Sequence, residues 1–342
     1  MKTKRELEIP IALLLSDLHL REDNTDLIIS IAQQAANVCN ERGIKNIFVL
    51  GDVFHSRKAQ TENTLNTLEY ILNNTWHGLD IVILVGNHDK TNQSMEKSFL
   101  TPFKHIRNVN VVEFCDHLII GDINCVFVSY FPEELQSGFI SRYVDMYLNK
   151  NGKTVLLTHT AFNGAVNNDG SKQETKINYE LVKPFDLCLS GHFHDAQNVY
   201  SNTYHLPSIC QNNFGEDDLK GFTVLYSDLS MEHVQSNFKP YKTHTFEAKY
   251  FRPDVFVPIE NEYTRIILHG TKSELEALDL TELKTKVNKI EKHPTDAERH
   301  EVVEEVITID NKGMIDRFTE WAEENNLSVK EGLEILNKVL KK

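Results

Sequence analysis

IALLLSDLH, residues 11–19, is a short apolar run that ends abruptly in two polar residues, Asp17 and His19. A strand that is apolar at successive positions is buried on both faces, as the central strands of covered α/β sheets are. Four more runs have the same form: NIFVLG (46–51), DIVILVG (80–86), TVLLTH (154–159) and DLCLSG (186–191). Between the first two, residues 25–42 show helical periodicity and stop at Gly43, a C-terminal cap. Residues 61–76 repeat that pattern before the third run. The alternation predicts an α/β sheet layered with helices. Further strands are expected at 109–113, 118–120 and 125–130, and a hairpin at 198–206.

Each core run ends in residues able to hold a metal: Asp17 and His19; Asp52 and His55 after Gly51; Asn87, His88 and Asp89 after Gly86; His159; and His192 and His194 after Gly191. In open α/β sheets ligands bind outside the carboxyl ends of the strands, and neighbouring strands lie about 4.8 Å apart, so such endings can converge. Taken singly they are weak signals. An Asp-x-His is more often a turn, and a histidine ending an apolar run is more often a satisfied core residue. Five in order point to a site. The donors are carboxylate, imidazole and one amide oxygen, with no thiolate, which suits manganese, iron, magnesium or zinc. They outnumber the needs of one ion. Two divalent ions about 3.5–4 Å apart, sharing a carboxylate, would use them and would clamp both oxygens of an in-line phosphoryl displacement.

The 342 residues are 40% hydrophobic and 25% charged, an ordinary globular composition. No apolar run reaches the ~18–20 residues that span a bilayer, and the N-terminal lysines do not make a signal peptide. The five cysteines lie far apart without a CxxC pair, which argues against a disulfide framework and for a reducing cytoplasm. The formal charge of −14 argues against a protein that grips nucleic acid over its whole surface, but carboxylates that gather cations fit it equally well.

In order, D-x-H, G-D-x-x, G-N-H-D, a strand-ending H and G-H-x-H resemble the signature of the calcineurin-like metallophosphoesterases over roughly residues 12–226. Within that superfamily the chain is similar to SbcD-type nuclease subunits of double-strand-break repair. GDVFHS (51–56) resembles the nuclease form of the second motif, where protein phosphatases carry Gly-Asp-x-x-Asp-Arg-Gly, and SGHFH (190–194) is typical of the fifth. The segment 204–216, ending in NFGE, resembles the turn that follows, although Leu206, Pro207 and Ser208 stand where a Gly-Ser pair is usual. The resemblance implies a layered α/β sandwich, with central mixed sheets flanked by helices, a small α+β capping domain and C-terminal helices. It divides the chain into a nuclease domain (1–240), a DNA-capping domain (241–312) and a partner-binding helical segment (313–342).

The same resemblance implies site roles. One metal takes Asp17, His19, Asp52 and His194; the other takes Asp52, Asn87, His159 and His192, with Asp52 as the bridge. The expected ions are manganese, with magnesium or iron as alternatives. His88 would contact the scissile phosphate or protonate the leaving oxygen, Asp89 would orient His88, and His55 would position the strand. DNA (double-strand ends and single strands) is then the substrate, a coiled-coil SbcC-type ABC ATPase the partner, and a homodimer an assembly to consider; no membrane is involved. The other enzymatic reading is a phosphoesterase for a small nucleotide or cyclic phosphodiester. A scaffold that kept the fold without catalysis is opposed by the complete donor set and by His88.

Beyond about residue 236 the pattern changes to turns, a strand at 264–270, a helix at 273–292 and a strand at 301–309. Residues 314–342 read as two helices, the second opened by a Ser328/Glu331 capping box. Their apolar stripes, with Phe318, Trp321 and Leu333 among them, suit a core or a partner helix. Lys239, Lys242, Lys249 and Arg252 are candidates for phosphate contacts.

Overall fold

The computed structural model of the protein describes residues 9–92, 97–147, 152–167 and 170–295. In chain order its first half contains β1 (Pro10–Leu15), α1 (Thr25–Arg42), β2 (Asn46–Val49), α2 (Glu62–Tyr70), β3 (Asp80–Leu84), β4 (Val109–Val112), β5 (Cys115–Ile120), β6 (Ile123–Val128) and α3 (Glu133–Tyr147). There follow β7 (Lys153–His159), α4 (Tyr179–Val182), β8 (Leu187–Gly191), β9 (Gln197–Tyr200), β10 (Thr203–His205), β11 (Gly221–Tyr226) and β12 (Met231–Gln235). The last elements are β13 (Tyr241–Glu247), β14 (Tyr263–Gly270), α5 (Lys272–Glu276), α6 (Leu283–Lys286) and β15 (Lys289–Pro294).

The fold class read from the sequence is the one observed. Two six-stranded sheets, ordered β12-β11-β1-β2-β3-β4 and β5-β6-β7-β8-β10-β9, stack face to face with helices outside. In the first, β1 through β4 run parallel, β11 pairs antiparallel with β1, and β12 pairs antiparallel with β11. In the second, β6, β7, β8 and β10 run parallel between two antiparallel edge strands.

Alternate residues of each strand serve different layers, which is why the runs are apolar throughout. From β1, Ala12 and Leu14 enter the core between the sheets with Phe48, Phe127, Val155 and Leu189. Phe48 and Phe127 meet edge to face at 5.0 Å, a favourable arrangement of aromatic quadrupoles. Leu13 and Leu15 point the other way, to Ile28, Ile31 and Ala35 of α1 and to Trp76. The outer face of the second sheet is covered by Ile140, Val182 and Phe185.

Helix α1 ends as expected at Gly43, which adopts the left-handed conformation (φ 69°). Helix α2 opens on a Thr61/Thr64 capping box and continues as a π-helical turn at Ile71–Thr75. That turn delivers Trp76 into the core, where its Nε1 donates to the Ala32 carbonyl at 3.0 Å. The hairpin expected at 198–206 is β9 and β10. The four cysteines at 39, 125, 188 and 210 are buried, and burial pushes each thiol up to about 12.

The chain divides into two compact units. The first holds both six-stranded sheets and takes in residues 255–266 and 283–290 besides the chain up to 244. The second comprises 245–254, 267–282 and the chain from 291; its buried apolar residues include Ala248, Phe251, Leu268, Leu275 and Leu280. The expected helix over 273–292 is corrected here. It is α5, closed by the Thr271/Glu274 capping box at its start, then α6, then β15. Asp279 accepts from the Thr281 amide, and such side-chain capture of the backbone competes with helix continuation. The strand expected at 301–309 and the helices at 314–342 lie outside the described residues. Among the described residues no helix is long and apolar enough to cross a membrane.

Trp76→Ala removes a fully buried aromatic and one hydrogen bond. A stability loss of about 3–5 kcal/mol is expected, read as a lower urea midpoint in far-UV circular dichroism.

Candidate metal centre

At the carboxyl ends of β1, β2, β3, β7 and β8 the chain turns sharply, and the turns bring the polar endings to one place. Asp17, His19, Asp52 and His192 all have positive φ (53°, 45°, 51° and 84°), and only one other non-glycine among the described residues, Leu229, does so. L-residues disfavour this region, so four such positions in one site mark a backbone held by its surroundings. Two glycines meet a steric demand instead. A Cβ at Gly86 would collide with Asp52 Oδ1, and one at Gly191 with Ser16 Oγ.

The donor atoms fall into two groups that share Asp52. In one, His19 Nε2 and His194 Nε2 face each other at 2.9 Å, with Asp17 Oδ1 at 3.9 and 4.0 Å from them and Asp52 Oδ2 at 3.8 Å from His19. In the other, Asn87 Oδ1 lies 3.0 Å from both His159 Nε2 and His192 Nδ1, and Asp52 Oδ1 lies 3.4 Å from His159 Nε2. Asp17, Asp52 and His159 are buried. His194 Nδ1 donates to Glu216 Oε1 (2.8 Å) and His159 Nδ1 to the Leu50 carbonyl (2.7 Å). Each ring therefore turns a lone pair toward the other donors. Lone pairs that converge within 3–4 Å repel unless a cation stands among them, and these donor types suit hard to borderline divalent ions. The donor set fits two such ions.

The electrostatics carry the same signature. Burial alone would lower His159, but the Asp52 and Asp17 carboxylates and its hydrogen bonds outweigh that and hold it up to about 9. Burial would likewise raise Asp52, yet the histidines around it, His159 first, keep it well below the usual carboxylate range. Burial pushes Asp17 up, His19 well down, and His192 down to about 3. Asp52 and Asp17 thus favour the charged form of His159 beside the place where a cation fits.

All ten residues expected at the site come together here, but two sit differently from expectation. Asp89 does not orient His88. It is fully buried, and its oxygens accept from the backbone amides of Val53 (3.3 Å), Phe54 (2.9 Å) and Gly86 (2.8 Å). It ties the loop after β2 to the loop after β3, and burial, with Asp52's charge added, pushes its carboxyl up to about 7. The partners of His88 are instead the His55 carbonyl, which accepts from Nδ1 (2.6 Å), and Arg57 Nη2, which donates to Nε2 (2.9 Å). His55 is exposed, and its Nδ1 lies 3.4 Å from Nδ1 of His19.

Sequence reasoning missed Glu216, Lys220 and Arg57. Glu216 is buried, steadies His194 and accepts from the Asn212 amide. Lys220, fully buried, donates to the His194 carbonyl (2.7 Å) and Asp195 (2.6 Å) and lies 3.4 Å from Glu216. The signal for Glu216 was the requirement that a ligating histidine have a carboxylate behind it. The loop in which Leu206, Pro207 and Ser208 replace a Gly-Ser pair still reaches the site, since the Ser208 amide donates to the His194 carbonyl (3.0 Å). Of the basic residues proposed for phosphate contacts, Lys242 is paired with Asp218, whereas Lys239 lies over the Tyr263 ring at 4.6 Å.

A family model described as calcineurin-like phosphoesterase matches residues 12–196, more than half of the chain. A protein of Invertebrate iridescent virus 6, named as phosphoesterase 244L, is 24% identical over 280 residues, 78% of this chain and 95% of that protein. Among solved structures, a dimetal phosphatase from Danio rerio has a TM-score of 0.46 at 11% identity, over 67% of this chain and 98% of that one. A nuclease from Pseudomonas putida has a TM-score of 0.30 at 15% identity, over 58% of this chain and 74% of that one.

Asp89→Ala would leave three buried backbone amides without their acceptor. At about 1–3 kcal/mol per unsatisfied group, a loss of at least several kcal/mol is expected, visible as a drop in melting temperature by calorimetry. A variant that melts with the wild type would contradict this role.

Proposed function

Because the chain belongs to the calcineurin-like phosphoesterase family, a hydrolase family, we propose that it is a two-metal phosphodiesterase whose substrate is DNA. The observation that carries this reading is the pair of converging donor groups that share Asp52. Asp17, His19, Asp52 and His194 would hold one ion, and Asp52, Asn87, His159 and His192 the other. When bound, the pair supplies Lewis-acid polarisation of the phosphate and an activated water, and manganese is the ion expected.

The chain's own residues do the rest. Asp52 would serve both ions, and its Oδ1 accepts from the His88 amide (2.8 Å), which ties that loop to the donor groups. His88 is half-buried, and its Nε2, which meets Arg57, is the nitrogen left for the phosphate or the leaving oxygen, since Nδ1 is bound to the His55 carbonyl. Arg57 lies against that nitrogen and among the described residues has no carboxylate partner. A guanidinium there is suited to the non-bridging oxygens of a phosphodiester. His55 backs His19 and supports His88 through its carbonyl.

DNA as the substrate is supported by the surroundings of the centre. Arg21, two residues beyond His19, borders a polar cavity of about 220 Å³ with Lys239, Tyr241 and Tyr263. The two tyrosine rings pack at 4.5 Å. Cations interleaved with aromatic rings are what single-stranded nucleic acid meets on its binding surfaces. In this reading residues 241–312 are the DNA-capping segment, and residues 313–342 engage an SbcC-type ATPase.

Two outcomes are expected. With manganese and DNA carrying single-stranded ends, Asp52→Ala should lose at least about 10³-fold in rate and His88→Ala about 10²–10⁴-fold, the range of a lost general acid. Undiminished cleavage by Asp52→Ala would sink the two-metal reading. Metal uptake should also expel the proton held at His159. The metal-free protein keeps it below about pH 9, so apparent affinity should rise with pH, roughly tenfold per unit, and level off above about 9. Titration calorimetry at pH 7.5 in two buffers of different ionisation heat should find about one proton released.

A further inference from the structure

Next to the metal donors lies a cavity of about 330 Å³, lined by Asn167, Gln173, His192, Phe193, His194 and Asn213. We infer that this cavity is a subsite for an unpaired nucleobase, that of the nucleotide whose phosphate lies at the metal centre. The inference rests on the nuclease reading and narrows its substrate to nucleotides outside a duplex.

Because His192 and His194 belong both to the donor groups and to this wall, the cavity adjoins the place that the reacting phosphate would take, within reach of a group attached to it. The lining decides its chemistry. Among the described residues its lining contains no Lys, Arg, Asp or Glu, in contrast to the cavity lined by Arg21, Asp23 and Lys239. A second phosphate would find no Lys or Arg among these residues to pair with, so a neutral group is favoured. Three carboxamides offer paired donors and acceptors, the match for the edge of a base.

These amides are held in place. Gln173 Nε2 donates to Asn167 Oδ1 (2.8 Å), and Asn167 Nδ2 to Ser171 Oγ (2.9 Å). Asn213 Nδ2 donates to Glu216 Oε1 (2.8 Å), the oxygen that also receives His194. Gln173 Oε1 has no partner among the described residues. Phe193 supplies the apolar surface. Its ring is half-buried and braced by His205 at 4.6 Å and by His192 at 5.6 Å, which leaves a stiff platform for stacking. The volume lies at the small end of the range for ligand pockets, about 300–1,000 Å³, and suits one nucleoside. A base inside a duplex has its edge paired and its faces stacked, so it must leave the helix to enter. Frayed ends, overhangs and single strands provide such a nucleotide without that cost.

The test compares p-nitrophenyl esters of thymidine 5′-phosphate and 3′-phosphate with methyl p-nitrophenyl phosphate, which has no base, all with manganese. In the wild type kcat/KM for the better nucleoside ester should exceed that for the methyl ester by about tenfold or more. In Gln173→Ala and Phe193→Leu that ratio should fall several-fold toward one. A second arm needs no variant: a single-stranded oligonucleotide with one abasic residue should be cleaved about tenfold more slowly at the bond next to the missing base than at the same bond in the intact strand. A ratio near one in the wild type, or equal cleavage beside the abasic residue, overturns the base subsite and leaves the two-metal reading intact. Hydrolysis of neither ester nor oligonucleotide overturns that reading itself.

Discussion

Asp52 is a buried carboxylate with a histidine on each side, and the rest of the site depends on what neutralises it. Isolated charges are costly to bury, and this region buries Asp17, Asp52 and Asp89 within a few residues of one another in space. The three are treated differently. Asp52 keeps its charge because histidines surround it, Asp89 is pushed up to about 7, and Asp17 is raised by burial. The histidines divide too, His159 rising to about 9 while His192 falls to about 3. A centre that holds its lone pairs so close is stable only with positive charge among them, whether a proton or a metal ion supplies it.

That demand explains local features that would otherwise be liabilities. Asp17, His19, Asp52 and His192 adopt left-handed backbone conformations, each a local cost that the surrounding sheets and hydrogen bonds must offset. The offsets are visible. The His192 amide donates to Asp17, the His88 amide to Asp52, and three loop amides to Asp89. Asp17 and Asp52 thus act twice, toward the metal positions with one set of lone pairs and toward the backbone with the other, while Asp89 serves the backbone alone. Behind His194 the buried pair of Glu216 and Lys220 extends the same network one layer outward.

The fold was legible because burial on both faces leaves a pattern that needs no partner to be recognised. β1, β2, β3, β7 and β8 are rich in Leu, Ile and Val, and each ends in or is followed within a few residues by an Asp, Asn or His. The stretch from Ser273 to Lys292 misled because its periodicity is compatible with a helix, while the turn at Asp279 and the strand at Lys289–Pro294 depend on contacts that periodicity does not encode. Asp89 misled for a related reason. Adjacency to His88 suggested a partnership, but neighbours in a tight turn point apart, and the Asp89 side chain went to the backbone of another loop.

By itself the sequence determined which residues could carry the chemistry, because donor type and position at a strand end are local properties of the chain. It also determined the layered α/β class, because the side-chain period of a doubly buried strand is local as well. The division of the donors around Asp52 came from the family resemblance, whereas only the tertiary structure decided the distances within each group, which nitrogen of each histidine faces inward, and that Arg57 and Glu216 join the site. Those facts depend on distances between residues far apart in sequence, such as the 175 positions that separate His19 from His194, and such distances are set by how the sheets stack and turn.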